Sequence, residues 1–322
     1  MSLAGLLAHD FVEVTEKTAV AAAQTMGYGD GRKSDLVATE AMREALDRVG
    51  MSGRIVIGEA GGPSMLRVGE KVGAAQGEPG QVDVAVDPLE GARLCATGAS
   101  GAMAVLAAAE SGGLLATPDV YMEKIMVGPT ARGAIHLDAP VPENLRNIAR
   151  SFGREVSDLT VVVLDRERHR QLVGDIRDAG ARIRLITDGD LSAGIAAAVR
   201  GTGVHAVMGV GGAPEGVIAA AALRCLGGEI QARLVALDEE QEELLAGSGL
   251  DRGKIYRSEE LARGESIVFS ATGVTDGEFL RGVRFFGGGS RTSTLLMSLP
   301  KRKVRFIETI HLEDPSSPVH FH

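Results

Sequence analysis

The chain has 322 residues, 44% of them hydrophobic and 24% charged, with a net charge of −9 and only two cysteines. Its length allows a large core or two domains, its acidity argues against a nucleic-acid partner, and Cys95 and Cys225 provide neither a disulfide framework nor a zinc cluster. No apolar run reaches the ~18 residues of a membrane span, and the first ten residues lack the basic segment of a signal peptide, so the chain reads as cytoplasmic with no membrane partner.

In chain order, an amphipathic helix is expected from about Leu6 to Met26. A second opens at Ser34 or Asp35, one of them as N-cap, and runs to Val49. Strands follow at Arg54–Glu59, Val82–Asp87, Ala102–Ala107 and Tyr121–Val127, then a helix from Asn144 to Gly153. The second half alternates strands with helices: Leu159–Asp165, Ala181–Thr187, His205–Gly209, Glu229–Leu237 and Ser266–Ala271 read as strands. This order predicts an α/β protein. A boundary near 150 divides it into an N-terminal α+β half (1–150) that binds metal and a C-terminal α/β half (151–322), whose last strand can return to the first.

The segment Val82-Asp-Val-Ala-Val-Asp87-Pro-Leu-Glu90-Gly is a strand by its alternation, with Pro88 and Gly91 setting a turn directly after Asp87. Two carboxylates three residues apart at a strand end suit a hard divalent cation such as Mg²⁺ or Mn²⁺; a solvated acidic turn explains them equally well. Thr187-Asp188-Gly-Asp190 puts two more carboxylates where a strand meets a helix, and Asp190 also fits a simple N-cap. Val207-Met-Gly-Val-Gly-Gly-Ala-Pro214-Glu215 reads as strand, glycine turn and helix start, with Pro214 at the first helical position. Its spacing does not fit a dinucleotide fingerprint, and Glu215 occupies the place of a pyrophosphate, so the carboxylate reads as a helix-stabilising charge or a metal ligand.

Taken together, Ile57-Gly-Glu59, Val82–Gly91, Pro118-Asp-Val-Tyr121-Met-Glu-Lys124, Thr187–Asp190 and Gly209-Val-Gly-Gly-Ala-Pro-Glu215-Gly resemble the bacterial class II fructose-1,6-bisphosphatases. Asn144-Leu-Arg-Asn147 and Phe269-Ser-Ala-Thr-Gly273 extend the likeness, which runs from about Phe11 to His311. It implies the layered α/β/α/β/α fold of the lithium-sensitive sugar phosphatases, a phosphorylated sugar as substrate, Mg²⁺ or Mn²⁺ as cofactor, and a homo-oligomer, dimer or tetramer. Carried over by position, it implies metal ligands at Asp35, Glu59, Asp87, Glu90 and Glu215, with Glu59, Asp87 and Glu90 catalytic. Substrate-side positions fall on Tyr121, Arg166, Arg168, Asp188 and Asp190. Without the likeness, Arg166 and Arg168 read as the solvated start of a helix.

Two departures fall where the chemistry is expected. Ala92 stands where the family's strand-end motif has threonine, and Ala60-Gly-Gly-Pro-Ser64 replaces a longer acidic loop. In related phosphatases those groups position and deprotonate the attacking water. Ser64, Thr97 and Ser100 are hydroxyls that could substitute, although each also reads as a plain loop or strand residue. Three readings follow: a divergent metal-dependent sugar-phosphate phosphatase, the same site used for non-hydrolytic chemistry on a phosphorylated sugar, or a sugar-phosphate-binding protein with impaired catalysis.

Overall fold

A computed structural model describes residues 7–59, 65–75 and 82–313. Two helices come first, α1 (Ala8–Ala23) and α2 (Gly31–Leu46), then strands β1 (Gly53–Ile57), β2 (Lys71–Val72) and β3 (Val82–Glu90). The short helix α3 (Ala92–Thr97) leads into β4 (Met103–Glu110) and β5 (Tyr121–Val127), followed by α4 (Val141–Phe152), β6 (Thr160–Leu164), α5 (Arg170–Asp178) and β7 (Arg182–Ile186). Then come α6 (Asp190–Ala198), β8 (Ala206–Gly212), α7 (Ala213–Leu226), β9 (Glu229–Val235), α8 (Glu239–Gly247) and β10 (Tyr256–Arg257). Strands β11 (Val268–Gly273), β12 (Arg284–Phe286), β13 (Gly289–Ser298) and β14 (Lys303–Leu312) complete the described chain.

These strands form two mixed sheets. The first has the order β12-β13-β11-β4-β3-β1-β2, with β14 along β13; the second runs β10-β9-β5-β8-β6-β7. Strand β5 thus enters the second sheet, and β11 to β14 join the first.

Side-chain alternation assigns the layers. On β4, Val105, Ala107 and Ala109 face one core while Ala104, Leu106 and Ala108 face another, as the two-residue period of a strand requires. The second of these cores holds the apolar faces of α1 and α2. The first is shared with Met122 and Met126 of β5, Leu191 and Ile195 of α6, and Val217 to Leu223 of α7, so α6 and α7 lie between the sheets. On the outer face of the second sheet, Val161 and Val163 pack against Leu145, Ile148 and Ile176 of α4 and α5. The order is helix, sheet, helix, sheet, helix, the expected α/β/α/β/α arrangement. Among the described residues no helix is long and apolar enough to cross a membrane.

Three local expectations are corrected. The second helix begins at Gly31, not near Ser34, because the Asp30 side chain accepts the Lys33 N–H at 3.0 Å and caps it. Strand β3 does not end at Asp87; it continues through Pro88 to Glu90 with a register shift against β4, and the chain turns at Gly91, whose φ is +82°. The glycines after Gly209 are not a turn, because β8 runs through them to Gly212 and Pro214 falls in the first turn of α7, which begins at Ala213.

Candidate active site

Each carboxylate of interest stands at the end of an element. Capping by Asp30 places Asp35 one turn into α2. Just past β1, a Cβ at Gly58 would overlap the Leu66 carbonyl, so glycine is needed for the crossing in which the Glu59 N–H donates to that carbonyl at 3.1 Å. Asp87 and Glu90 lie at the end of β3; Asp87 Oδ1 accepts the Leu89 N–H, and Glu90 Oε1 accepts the Leu191 N–H at 3.2 Å. Asp190 and Glu215 occupy the first turns of α6 and α7, where the helix dipole favours negative charge.

The glycines of β8 make room for polar side chains. A Cβ at Gly211 would overlap the Asp190 carboxylate, and one at Gly212 would overlap Glu215. A Cβ at Gly209, whose φ is +140°, would come within 2.9 Å of His169 Nε2.

Asp35, Glu59, Asp87, Glu215 and Asp119 line one cavity of about 260 Å³. A larger cleft of about 760 Å³ shares Glu59 and Asp119 with it and is walled by Glu240 and Glu243 of α8. Burial raises Asp35, Glu59, Asp87 and Glu215, and repulsion from neighbouring acids adds to the rise in the last three. Glu59 rises to about 7, first through burial and then through Asp35, Glu215 and Asp119. Asp87 is raised well above the usual carboxylate range by burial and by Glu215, against the lowering effect of a hydrogen bond from Glu90. Burial and then Asp87 push Glu90 up in turn. Burial also raises Asp35, and Glu215, where Lys124 opposes it.

Among the described residues, no three of the Asp, Glu, His or Cys side chains already converge as a closed metal cage. Mg²⁺ is commonly held by only one or two carboxylates plus substrate phosphates, so a closed protein cage is not required. The site fits such a cation: all its donors are oxygens, as Mg²⁺ and Mn²⁺ require, and Glu215 Oε2 is buried without a hydrogen-bond partner.

Among the residues expected on the substrate side, the Arg168 guanidinium sits 5.0 Å from the Tyr121 ring centroid and donates from Nε and Nη2 to the Val210 carbonyl at 3.2 and 2.8 Å. Arg166 donates to the Thr187 and Asp165 carbonyls at 2.8 and 3.0 Å. Burial raises Asp188, while the Gly189 N–H and then, after the repulsion from Asp190, Arg166 and Arg93 offset part of that rise. Asp190 is committed to a buried ion pair, its Oδ2 lying 2.8 Å from Lys124 Nζ. Thr97 is exposed and its hydroxyl donates to the Arg93 carbonyl at 2.9 Å, so it supplies nothing to the cavity. Ser64 and the rest of 60–64 lie outside the described residues.

Reading the sequence missed three residues as contributors here: Lys124, Asp119 and His169. Lys124 had a signal, since it shares a strand face with Met122 and Met126 and so puts a charge into an apolar core face. His169 is buried; its Nε2 accepts the Val210 N–H at 2.8 Å, so Nδ1 carries the proton and donates to the Leu164 carbonyl at 2.7 Å. It ties the turn bearing Arg166 and Arg168 to β8.

The description "Bacterial fructose-1,6-bisphosphatase, glpX-encoded" belongs to the family whose sequence model matches residues 6–311. A protein of Synechococcus sp. (strain JA-2-3B'a(2-13)) is 50% identical over 334 aligned residues that cover 96% of both chains. Proteins of Gloeobacter violaceus and Synechocystis sp. are 46% and 44% identical, covering 95% and 97% of this chain and 96% and 98% of their own. All three are named D-fructose 1,6-bisphosphatase class 2/sedoheptulose 1,7-bisphosphatase.

Proposed function

The chain belongs to the bacterial class II fructose-1,6-bisphosphatase family, and we propose that it removes one phosphate from a sugar bisphosphate, fructose 1,6-bisphosphate or sedoheptulose 1,7-bisphosphate, using Mg²⁺ or Mn²⁺. It is a sugar-phosphate phosphatase and hence a phosphoric monoester hydrolase. The observation that carries the metal-dependent reading is the buried, unpartnered Glu215 Oε2 beside Asp35, Glu59 and Asp87 in one cavity. Those four and Glu90 would hold the metal, which when bound polarises the phosphoryl group and lowers the pKa of bound water.

The chain's own groups do the rest. Burial raises both Asp87 and Glu90 at the end of β3, and the first turns of α6 and α7 direct positive partial charge toward the same place. Arg166 and Arg168, oriented by backbone carbonyls and by Tyr121, keep further N–H donors for the phosphate that is not cleaved. Asp188 would accept from a sugar hydroxyl, whereas Asp190, held in its ion pair with Lys124, would form a fixed wall of that subsite.

A second reading rests on Ala92. Two residues past Glu90 and first in α3, it offers no hydroxyl, and Thr97 is turned to the Arg93 carbonyl. The site then binds metal and phosphate but hydrolyses slowly. We also assign a homo-oligomer, dimer or tetramer, because β14 is a ten-residue edge strand exposing Val304 and Phe306. A cytoplasmic location matches the two free cysteines, both buried.

The test follows sugar bisphosphates with Mn²⁺ or Mg²⁺ by NMR, recording substrate loss and inorganic phosphate in one tube. Phosphate appearing in step with substrate loss, and abolished in Glu90→Gln, is the expected result. Substrate loss without phosphate would replace hydrolysis with another use of the site.

A further inference from the structure

A cavity of about 520 Å³ lies between residues 128–130, 152–154 and 197–205, apart from the carboxylate centre. It is lined by Arg154, Arg200 and His205 and by no carboxylate, in a chain whose net charge is −9.

The protonation of His205 follows from its contacts. His205 is 7% exposed. The backbone N–H of Thr160 donates to Nδ1 at 3.0 Å, and the His205 N–H returns a bond to the Thr160 carbonyl at 3.0 Å. A backbone N–H can only donate, so Nδ1 is the bare nitrogen and Nε2 of the neutral ring carries the proton. Arg154 Nη1 stands 3.3 Å from that Nε2. Arginine also can only donate, so two donors face each other with no acceptor between them. The Phe152 ring meets His205 edge-on at 5.0 Å and fixes the plane of the imidazole.

Of the acceptors that converging donors can take, an anionic oxygen is held most strongly. Arg200 adds positive charge at the rim, and Arg182 also acts on His205, opposed by Asp158. The dipole at the C-terminal end of α6 works against an anion, but only by about 0.3–1 kcal/mol, and the Thr202 hydroxyl already donates to the Ala196 carbonyl there at 2.7 Å.

We propose that this cavity is a second oxyanion site, in which Arg154 and the His205 Nε2–H hold the phosphate or carboxylate group of a small metabolite. The apolar wall of Pro129, Phe152 and Val199 receives the rest of the molecule. The site is separate from the carboxylate centre: α6 carries Asp190 at one end and reaches this cavity at the other, roughly 13 Å away for nine residues at ~1.5 Å each. It does not depend on the hydrolytic reading.

The test uses the full chain in EDTA, where the metal-free carboxylate centre repels anions, and follows the histidine ring signals by ¹H–¹⁵N correlation. His205→Gln assigns the resonance. The expected spectrum has His205 in the Nε2–H form, with saturable shifts on adding inorganic phosphate or acetate; the anion that saturates identifies the acid group. Arg154→Gln should weaken that binding about tenfold, the loss of one charge-assisted hydrogen bond, Arg200→Gln should weaken it less, and Glu90→Gln should leave it unchanged. An Nδ1–H ring, shifts that chloride at equal ionic strength reproduces, or affinity unaltered in both arginine variants would overturn the proposal.

Discussion

Lys124 Nζ and Asp190 Oδ2 lie 2.8 Å apart and almost wholly buried, with the Lys124 side chain 2% exposed and that of Asp190 10%. The ammonium also donates to the Gly212 carbonyl at 3.2 Å and opposes the burial that raises Glu215. It is a positive charge of the protein's own, set at the edge of a cluster of acids, and Gly211 lacks a Cβ because the pair occupies that space.

Lys124→Met should therefore destabilise the metal-free protein by about 3–5 kcal/mol, the usual cost of removing one partner from a buried pair. Urea unfolding in EDTA measures it. A loss below about 1 kcal/mol, typical of an exposed pair, would mean that the pair is solvated in solution.

Stability in EDTA should fall as pH rises from about 4.5 to about 7. The folded-state pKa of Glu59 is raised to about 7 from 4.5, so the folded protein binds more protons than the unfolded chain across that window. Each pH step through it then favours unfolding, and the raised Asp35, Asp87 and Glu90 act in the same sense. Saturating Mn²⁺ should flatten the slope. Urea midpoints that are level with pH in EDTA would remove the electrostatic argument for a cation.

His169→Ala should raise KM by tenfold or more, within the ~10² that an ångström of misplacement can cost, and lower kcat less. The residue touches no reacting atom; it holds the turn bearing Arg166 and Arg168 through Leu164 and Val210. His169→Gln, able to accept the Val210 N–H, should recover much of the loss. Equal falls in kcat and kcat/KM with KM unchanged would place the defect at the carboxylates instead.

Ala92→Thr should raise turnover, up to the ~10²–10⁴ that general-base assistance supplies. Steady-state phosphate release at saturating metal reads it. An unchanged rate would show that the missing hydroxyl is not what limits this protein.

The carboxylate cluster was legible because Asp87, Glu90 and Glu215 sit beside glycine and proline at element ends, where backbone chemistry marks the site. Lys124 was harder, since one lysine in an apolar strand face also describes an edge strand. Strands β12 to β14 were not read at all. On β13 the inward positions include Thr292 and Thr294, whose hydroxyls bond Glu16 of α1 at 3.3 Å, so a buried polar network hides the alternation that marks a strand. The glycines of β8 misled for a related reason. They serve side chains from His169, Asp190 and Glu215, contacts that no local pattern encodes.

The proposed divalent-cation site of Asp35, Glu59, Asp87, Glu90 and Glu215 is tested most directly by Mn²⁺ titration of the EDTA-stripped protein, read by electron paramagnetic resonance. Saturable binding that weakens at least about tenfold in Glu215→Gln is the predicted result, because that substitution removes a charged ligand. Mn²⁺ that stays free in solution, or binds Glu215→Gln as tightly as the unaltered protein, would contradict it.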